Sequence, residues 1–287
     1  MTRIADLLAE RRTLSFEFFP PKTAEAEAQL RVALDELSPL SPDFVSVTYG
    51  ALGSTRDTTR AIVIDLNRTR PFPAMAHLTC VGHSRDDIRR LLDGYAEHGV
   101  DNILALSGDP PADGSDPGGE FRYAIELLEL VRAHPHRFSV GVAAHPELHP
   151  RSRGDRRSDR KHLAAKLERA DFAITQFFFE PEHFWRMLDE LTEAGCRKPV
   201  LPGVMPFLSV AGVRRMAAMN GSRIPAALEA RLDVADGDPK AVRRLGVEVA
   251  VDLCRSLWAD ERVRGLHLYA LNRSRSVTEI VRALGLR

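Results

Sequence analysis

The sequence predicts an α/β fold, a single-domain (β/α)8 TIM barrel spanning 1–287, on three observations. Short apolar runs of strand length alternate eight times with helical patterns. The length of 287 residues suits one such barrel. No G-x-G-x-x-G or Walker A sequence supports the competing open, doubly wound sheet.

In chain order, the run Leu14–Phe19 precedes a helix at Ala24–Leu37, and Phe44–Tyr49 precedes Thr55–Arg68. Ala74–Cys80 precedes Ser84–His98, whose start carries the capping sequence Ser84-Arg85-Asp86-Asp87. Asn102–Leu106 leads through a Pro/Gly-rich loop at 110–119 to a helix at Tyr123–Ala133. Phe138–Ala144 precedes Asp159–Arg169, and Phe172–Phe179 precedes Pro181–Ala194, which Gly195 stops. Within that run, Phe177-Phe178-Phe179 reads as buried barrel wall. Pro199–Met205 is the seventh strand, and an extra helical segment around 210–258 separates it from the eighth, Gly265–Leu271. Ser276–Leu284 closes the chain.

Composition narrows the function. Forty basic and forty acidic residues cancel, so no global field draws the chain to nucleic acid or anionic lipid. Cys80, Cys196 and Cys254 are widely spaced, form neither a disulfide framework nor a zinc pattern, and point to a reducing compartment. The segment Met1–Leu8 lacks a signal-peptide core, and no apolar window reaches membrane-spanning length. The expectation is a cytoplasmic globular protein.

Barrels of this kind place their chemistry at the carboxyl ends of the strands. Those ends carry Glu17; Thr48 and Tyr49; His77 and Thr79; Ser107, Gly108 and Asp109; His145, Glu147 and His149; Gln176; Pro206; and Asn272 with Arg273. Glu17 has two readings: a carboxyl kept protonated by burial, suited to general acid catalysis, or a strand-end acid paired with an arginine. His77 alone reads equally as a core histidine. Asp109 after Gly108 reads also as a turn cap. His145 and His149 have i, i+4 spacing, but Pro146 and Pro150 argue against a helix there, and so against a metal site. Arg151–Lys161, with six basic residues and two aspartates, is either a solvated surface or a phosphate-gripping rim.

Seven motifs carry a family resemblance. They are Ser15-Phe16-Glu17-Phe18-Phe19-Pro20-Pro21, Phe44-Val45-Ser46-Val47-Thr48-Tyr49-Gly50-Ala51, His77-Leu78-Thr79-Cys80, Ala105-Leu106-Ser107-Gly108-Asp109-Pro110-Pro111, Ala173-Ile174-Thr175-Gln176-Phe177-Phe178-Phe179, Leu201-Pro202-Gly203-Val204-Met205-Pro206 and Tyr269-Ala270-Leu271-Asn272-Arg273. In this order, from Leu14 to Leu286, the chain resembles bacterial methylenetetrahydrofolate reductases. The resemblance implies a flavoprotein barrel passing hydride from NADH or NADPH through FAD to 5,10-methylenetetrahydrofolate, in the service of methionine biosynthesis. It further implies a homo-oligomer acting on a small-molecule folate by a ping-pong cycle.

Residue by residue, the resemblance makes Glu17 the acid that protonates folate N10, Asp109 a charge-tuning group near flavin and folate, and Gln176 a hydrogen-bonding partner of pterin or nicotinamide. Flavin-binding positions fall on Thr48, Tyr49, His77, Leu106, Ser107, Gly108, Asp109, Tyr123, Ala124, His145, His149, Asp159, His162 and Lys166. Glu17, Thr48, Gln176 and Arg273 fall on the substrate side. The chain departs from the family pattern at Ser107 (an arginine there), His145 (an aromatic), Leu148 (glycine or valine), Gly212 (glutamine) and Met216 (phenylalanine). These departures keep open a paralogue with weakened or absent FAD binding or another one-carbon pterin substrate. A non-catalytic folate- or nucleotide-binding subunit is a third reading. The regulatory domain that some eukaryotic relatives append is not expected here, nor is inhibition by a methyl-donor metabolite.

Overall fold

The computed structural model describes residues 2–50, 55–108 and 118–286. Its strands are β1 (Thr13–Phe18), β2 (Phe44–Val47), β3 (Ala74–Thr79), β4 (Asn102–Leu106), β5 (Ser139–Ala144), β6 (Phe172–Thr175), β7 (Val200–Leu201), β8 (Gly203–Val204) and β9 (Gly265–Tyr269). All neighbours pair in parallel, in the order β7-β6-β5-β4-β3-β2-β1-β9-β8. β7 and β8 are two halves of one barrel strand. Pro202 lies between them and has no N–H to give, but its carbonyl accepts the His267 amide at 3.1 Å. With Ala173 facing Val200 on one side and Gly203 facing His267 on the other, the broken strand brings the ring round to near closure.

The helices on the outer face are α2 (Ala24–Leu37), α3 (Arg56–Thr69), α4 (Arg85–Glu97), α5 (Ala124–Arg132), α6 (Arg156–Arg169), α7 (Pro181–Glu193) and α11 (Ser274–Leu284). Ser84 and Asp87 form the expected capping box, and Gly195 takes the left-handed conformation (φ +81) just past α7. Three helices, α8 (Val210–Asn220), α9 (Ala226–Ala235) and α10 (Pro239–Trp258), occupy the stretch read as one helical segment. Left-handed Gly221 ends the first and Pro239 opens the third, so the backbone turns twice. Val213, Leu232 and Leu245 of these helices pack with Phe177 and Phe207 into a cluster of their own.

Two further boundaries differ from expectation. β6 ends at Thr175, not Phe179, because consecutive phenylalanines serve different cores: Phe177 joins the second cluster and Phe178 stacks on Phe184 of α7. The amino-terminal stretch forms a helix, α1 (Ile4–Glu10), too short to show a period. It plugs the barrel's amino end. Ile4 and Leu8 sit among inward-pointing Phe44, Met75, Leu104 and Phe172, while the Ile4 and Ala5 amides bond Asn102 Oδ1 and Ser139 Oγ at 2.8 and 3.0 Å.

Closure needs a residue without a side chain at 203. A Cβ there would lie 2.2 Å from the Thr175 carbonyl and 2.8 Å from the Tyr269 ring. Gly203→Ala is expected to cost about 3 kcal/mol through forced backbone movement, read as a lowered denaturation midpoint at unchanged m-value.

Candidate active site

Strand alternation puts Ser15, Glu17, Ser46, His77 and His267 inside the barrel, above the apolar layer that α1 seals. Glu17 Oε2 lies 3.2 Å from His267 Nε2, 3.4 Å from His77 Nε2 and 3.4 Å from Ser46 Oγ, which donates to it. Among the described residues every one of these contacts falls on Oε2. Glu17 is therefore partnered by histidines, and among the described residues the arginine pairing offered by sequence is not formed.

His267 is held from both sides: its Nδ1 lies 2.8 Å from Ser15 Oγ, itself 3.1 Å from the Leu266 carbonyl, and its Nε2 meets Glu17 Oε2 and lies 3.5 Å from Ser46 Oγ. The imidazole tautomer sets which of its nitrogens donates. Burial pushes the Glu17 carboxyl up, but His77 and the His267 hydrogen bond bring it below the ordinary glutamate value. Burial also drives His77 down, to about 4, so that ring is uncharged at pH 7 and exerts no such pull there. The hydrogen bonds of the carboxylate with His267 and Ser46 remain.

Around the mouth, Tyr49 OH meets His83 Nε2 at 3.1 Å, and burial raises its phenol. The Thr48 carbonyl accepts Thr59 Oγ1. Leu106 packs on the barrel interior, and Ser107 Oγ reaches only the Gly108 carbonyl among the described residues, at 3.3 Å. Gly108 has φ +87, and a Cβ there would meet Val81 Cγ1 at 2.5 Å. Thr79 Oγ1 and His77 Nε2 are buried without a hydrogen-bond partner among the described residues. Asp109 lies outside the described residues, as does most of the 110–119 loop.

Across the mouth, His145 and His149 stack edge to face at 4.5 Å, and burial holds His145 at about 3. Lys166 Nζ donates to the Ala143 carbonyl at 2.7 Å, and burial lowers its pKa to about 8. Asp159 is structural: it accepts the His149 amide at 2.9 Å and an Arg160 bond at 2.6 Å. Arg160, which sequence reasoning passed over as rim charge, is buried and also bonds the His145 and Pro146 carbonyls and Glu190. With Arg156 also on Glu190, two of the six basic residues serve the fold, while Arg151, Arg153, Arg157 and Lys161 are exposed.

Gln176 pairs with Asn220. Tyr123 precedes α5 rather than belonging to it and is 62 % exposed, with Ala124 the first helical residue. His162 and Arg273 are exposed. Arg273 opens onto a groove of about 660 Å³ with Gln29, Glu36 and Arg243, outside the barrel wall and apart from Glu17. The Gly212 amide caps on Ser209 Oγ, and Met216 packs against the second cluster.

The Thr79 hydroxyl, without a hydrogen-bond partner among the described residues, the glycine at 108 and the buried Lys166 ammonium suit a large polar group laid across the mouth. Comparison with known proteins bears on which. The family model "Methylenetetrahydrofolate reductase" matches residues 1–285. A 5,10-methylenetetrahydrofolate reductase from Pectobacterium carotovorum is 36% identical over 281 residues, covering 98% of this chain and 92% of that protein. The Arabidopsis thaliana methylenetetrahydrofolate reductase (NADH) 1 is 34% identical over 286 residues, 95% of this chain and 48% of that protein. Among solved structures, an uncharacterized Clostridium thermocellum protein that binds two copies of 5-methyl-5,6,7,8-tetrahydrofolic acid superposes with a TM-score of 0.66 at 15% identity, covering 98% of this chain and 97% of that one. That similarity speaks to the fold.

Two measurements test the site's physics. Native His77 takes its proton only near pH 4, while the unfolded residue takes one near 6.5, so falling pH favours the unfolded chain across that window. His77→Asn is expected to flatten the stability curve between pH 6.5 and 4, read by urea unfolding. Leu148 sits at φ +85, which a Cβ opposes. Leu148→Gly is expected to be about 1 kcal/mol more stable than Leu148→Ala.

Proposed function

The chain belongs to the methylenetetrahydrofolate reductase family of oxidoreductases, and on that premise we propose that Glu17 is the proton donor when this barrel reduces 5,10-methylenetetrahydrofolate to 5-methyltetrahydrofolate. Family membership supports the folate reduction and a nicotinamide donor. The role of Glu17 and the use of FAD go beyond that membership, and the contact of the buried Glu17 carboxyl with His267 inside the barrel is the observation that carries them.

Opening the five-membered ring of the substrate requires a proton at N10. Glu17 offers it from an oxygen inside the barrel, and its Oε1 is not committed to any described partner. A ligand seated over the mouth excludes water, which raises the carboxyl and favours delivery of the proton. His267, hydrogen-bonded below to Ser15, accepts or returns that proton without leaving its place. Gln176 presents its amide to the pterin or nicotinamide and Thr48 meets the folate beside it, while Arg273, on its groove outside the barrel wall, would reach only a part of the substrate that extends out of the mouth.

For FAD, the residues fit a bound group: Thr48, Tyr49, His77, Thr79, Leu106 and Gly108 on one side, with His145, His149 and Lys166 on the other. The chemistry supplied by bound FAD is relay of hydride from NADH or NADPH to the folate. Lys166 gives an anionic group a buried positive charge, weakening as pH rises through about 8. Ser107, bonded only to its neighbour's carbonyl among the described residues, adds no charged anchor, which favours weak retention of the cofactor.

The visible spectrum tests the reading. Flavin bands on titration with FAD, bleached by NADH or NADPH and restored by methylenetetrahydrofolate, are expected; a protein that takes up no FAD supports the paralogue instead. Glu17→Gln is expected to slow folate reduction by about 10²–10⁴-fold while bleaching by NADH proceeds at the parent rate. Equal loss in both half-reactions would remove Glu17 from the proton-donor role.

A further inference from the structure

α8 ends against the barrel mouth. Its last residue, Asn220, donates from Nδ2 to Gln176 Oε1 at 3.3 Å and accepts from Gln176 Nε2 at Oδ1, 3.4 Å away. The corner that follows is held on three sides. Gly221 turns through φ +72, Ser222 Oγ bonds the Phe177 carbonyl at 2.9 Å, and the Arg223 amide bonds Glu147 Oε1 at 3.0 Å. The Arg223 guanidinium adds a 3.1 Å ion pair to Glu180. The backbone of Gln176 is fixed from the other side, its amide bonded to the Ala144 carbonyl at 2.8 Å.

A free glutamine side chain loses rotamer freedom when a ligand fixes it. Here the reciprocal amide pair has taken most of that loss in advance. Each amide uses one N–H and one lone pair on the other, so Gln176 retains one donor and one acceptor in a defined plane. A pterin edge or a carboxamide carries donors and acceptors that match such a plane.

We propose that Asn220 is a positioning residue that preorganises Gln176 for the folate substrate. The proposal rests on the functional reading above, in which Gln176 contacts the ligand. Asn220 reaches the chemistry through Gln176, so the two substitutions are coupled.

A double-mutant cycle on the FAD-loaded protein tests this, with 5-methyltetrahydrofolate affinity as the readout. Asn220→Ala is expected to weaken binding by about 10-fold in the parent and by less than about 2-fold when Gln176 is already alanine. Asn220→Asp, which keeps the acceptor for Gln176 Nε2 but sets a second acceptor against Gln176 Oε1, is expected to weaken binding at least as much as Asn220→Ala. Melting temperatures of all variants report separately on folding. An Asn220→Ala loss that persists undiminished in the Gln176→Ala background, or no loss in the parent, overturns this proposal alone. A parent protein that binds no 5-methyltetrahydrofolate overturns the functional reading, and this proposal with it.

Discussion

Closure of the strand ring across Pro202 is the constraint on which the rest of the structure depends. The proline divides one barrel strand in two, yet its carbonyl takes the His267 amide and the Gly203 amide bonds Thr175 Oγ1 at 2.9 Å. Tyr269 OH reaches back to the Thr175 carbonyl at 2.8 Å across the same seam. These bonds fix the rotation of β9 about the barrel, and so the height at which His267 faces Glu17. A strand slipped by one residue would turn His267 outward and bring Leu266 or Leu268 into the polar layer.

Above that seam the molecule separates two tasks. The strands hold the Glu17 carboxyl, in a layer where every group is buried and no arginine or lysine touches it among the described residues. The loops hold the outer wall of the mouth, and there the organising charge is Arg160. Its guanidinium gathers two backbone carbonyls and two carboxylates, so the segment carrying His145 and His149 keeps its course despite the left-handed Leu148. A buried arginine satisfied on so many sides is hard to replace by lysine, whose point charge cannot span the same fork of acceptors.

Much of this was legible in the sequence, for physical reasons. Strands and helices announce themselves through period, so α2 falls on its expected range, and the polar strand ends marked the mouth before its geometry was known. Glu17 stood out because an acid in an apolar run demands an explanation. What stayed hidden was whatever depends on partners far along the chain. His267 looked like one more residue of an apolar strand, and only the parallel register of β1 with β9 sets it beside Ser15. Arg160 read as surface charge because its burial comes from the loop and α7 packing over it. Asn220, at a helix end, carried no signal at all. α1 was missed because seven residues give too little period, and the Phe177–Phe179 run was misplaced because hydrophobicity does not say which of two cores a residue joins.

The seam also sets a timetable for making the molecule. Glu17 and His267 are separated by 250 positions, and β1 waits for β9 along the same edge. During synthesis Glu17 emerges well before the imidazole that contacts it, which follows the three helices of the second cluster. Contacts of such long separation form slowly, because loop-closure entropy is lost before they repay it. Until the final strand docks, the growing chain has an open sheet edge on each side and a carboxyl without its partner. The same contact that completes the barrel therefore gives the carboxyl its imidazole, and a chain stopped short of β9 carries its acid beside an open strand edge.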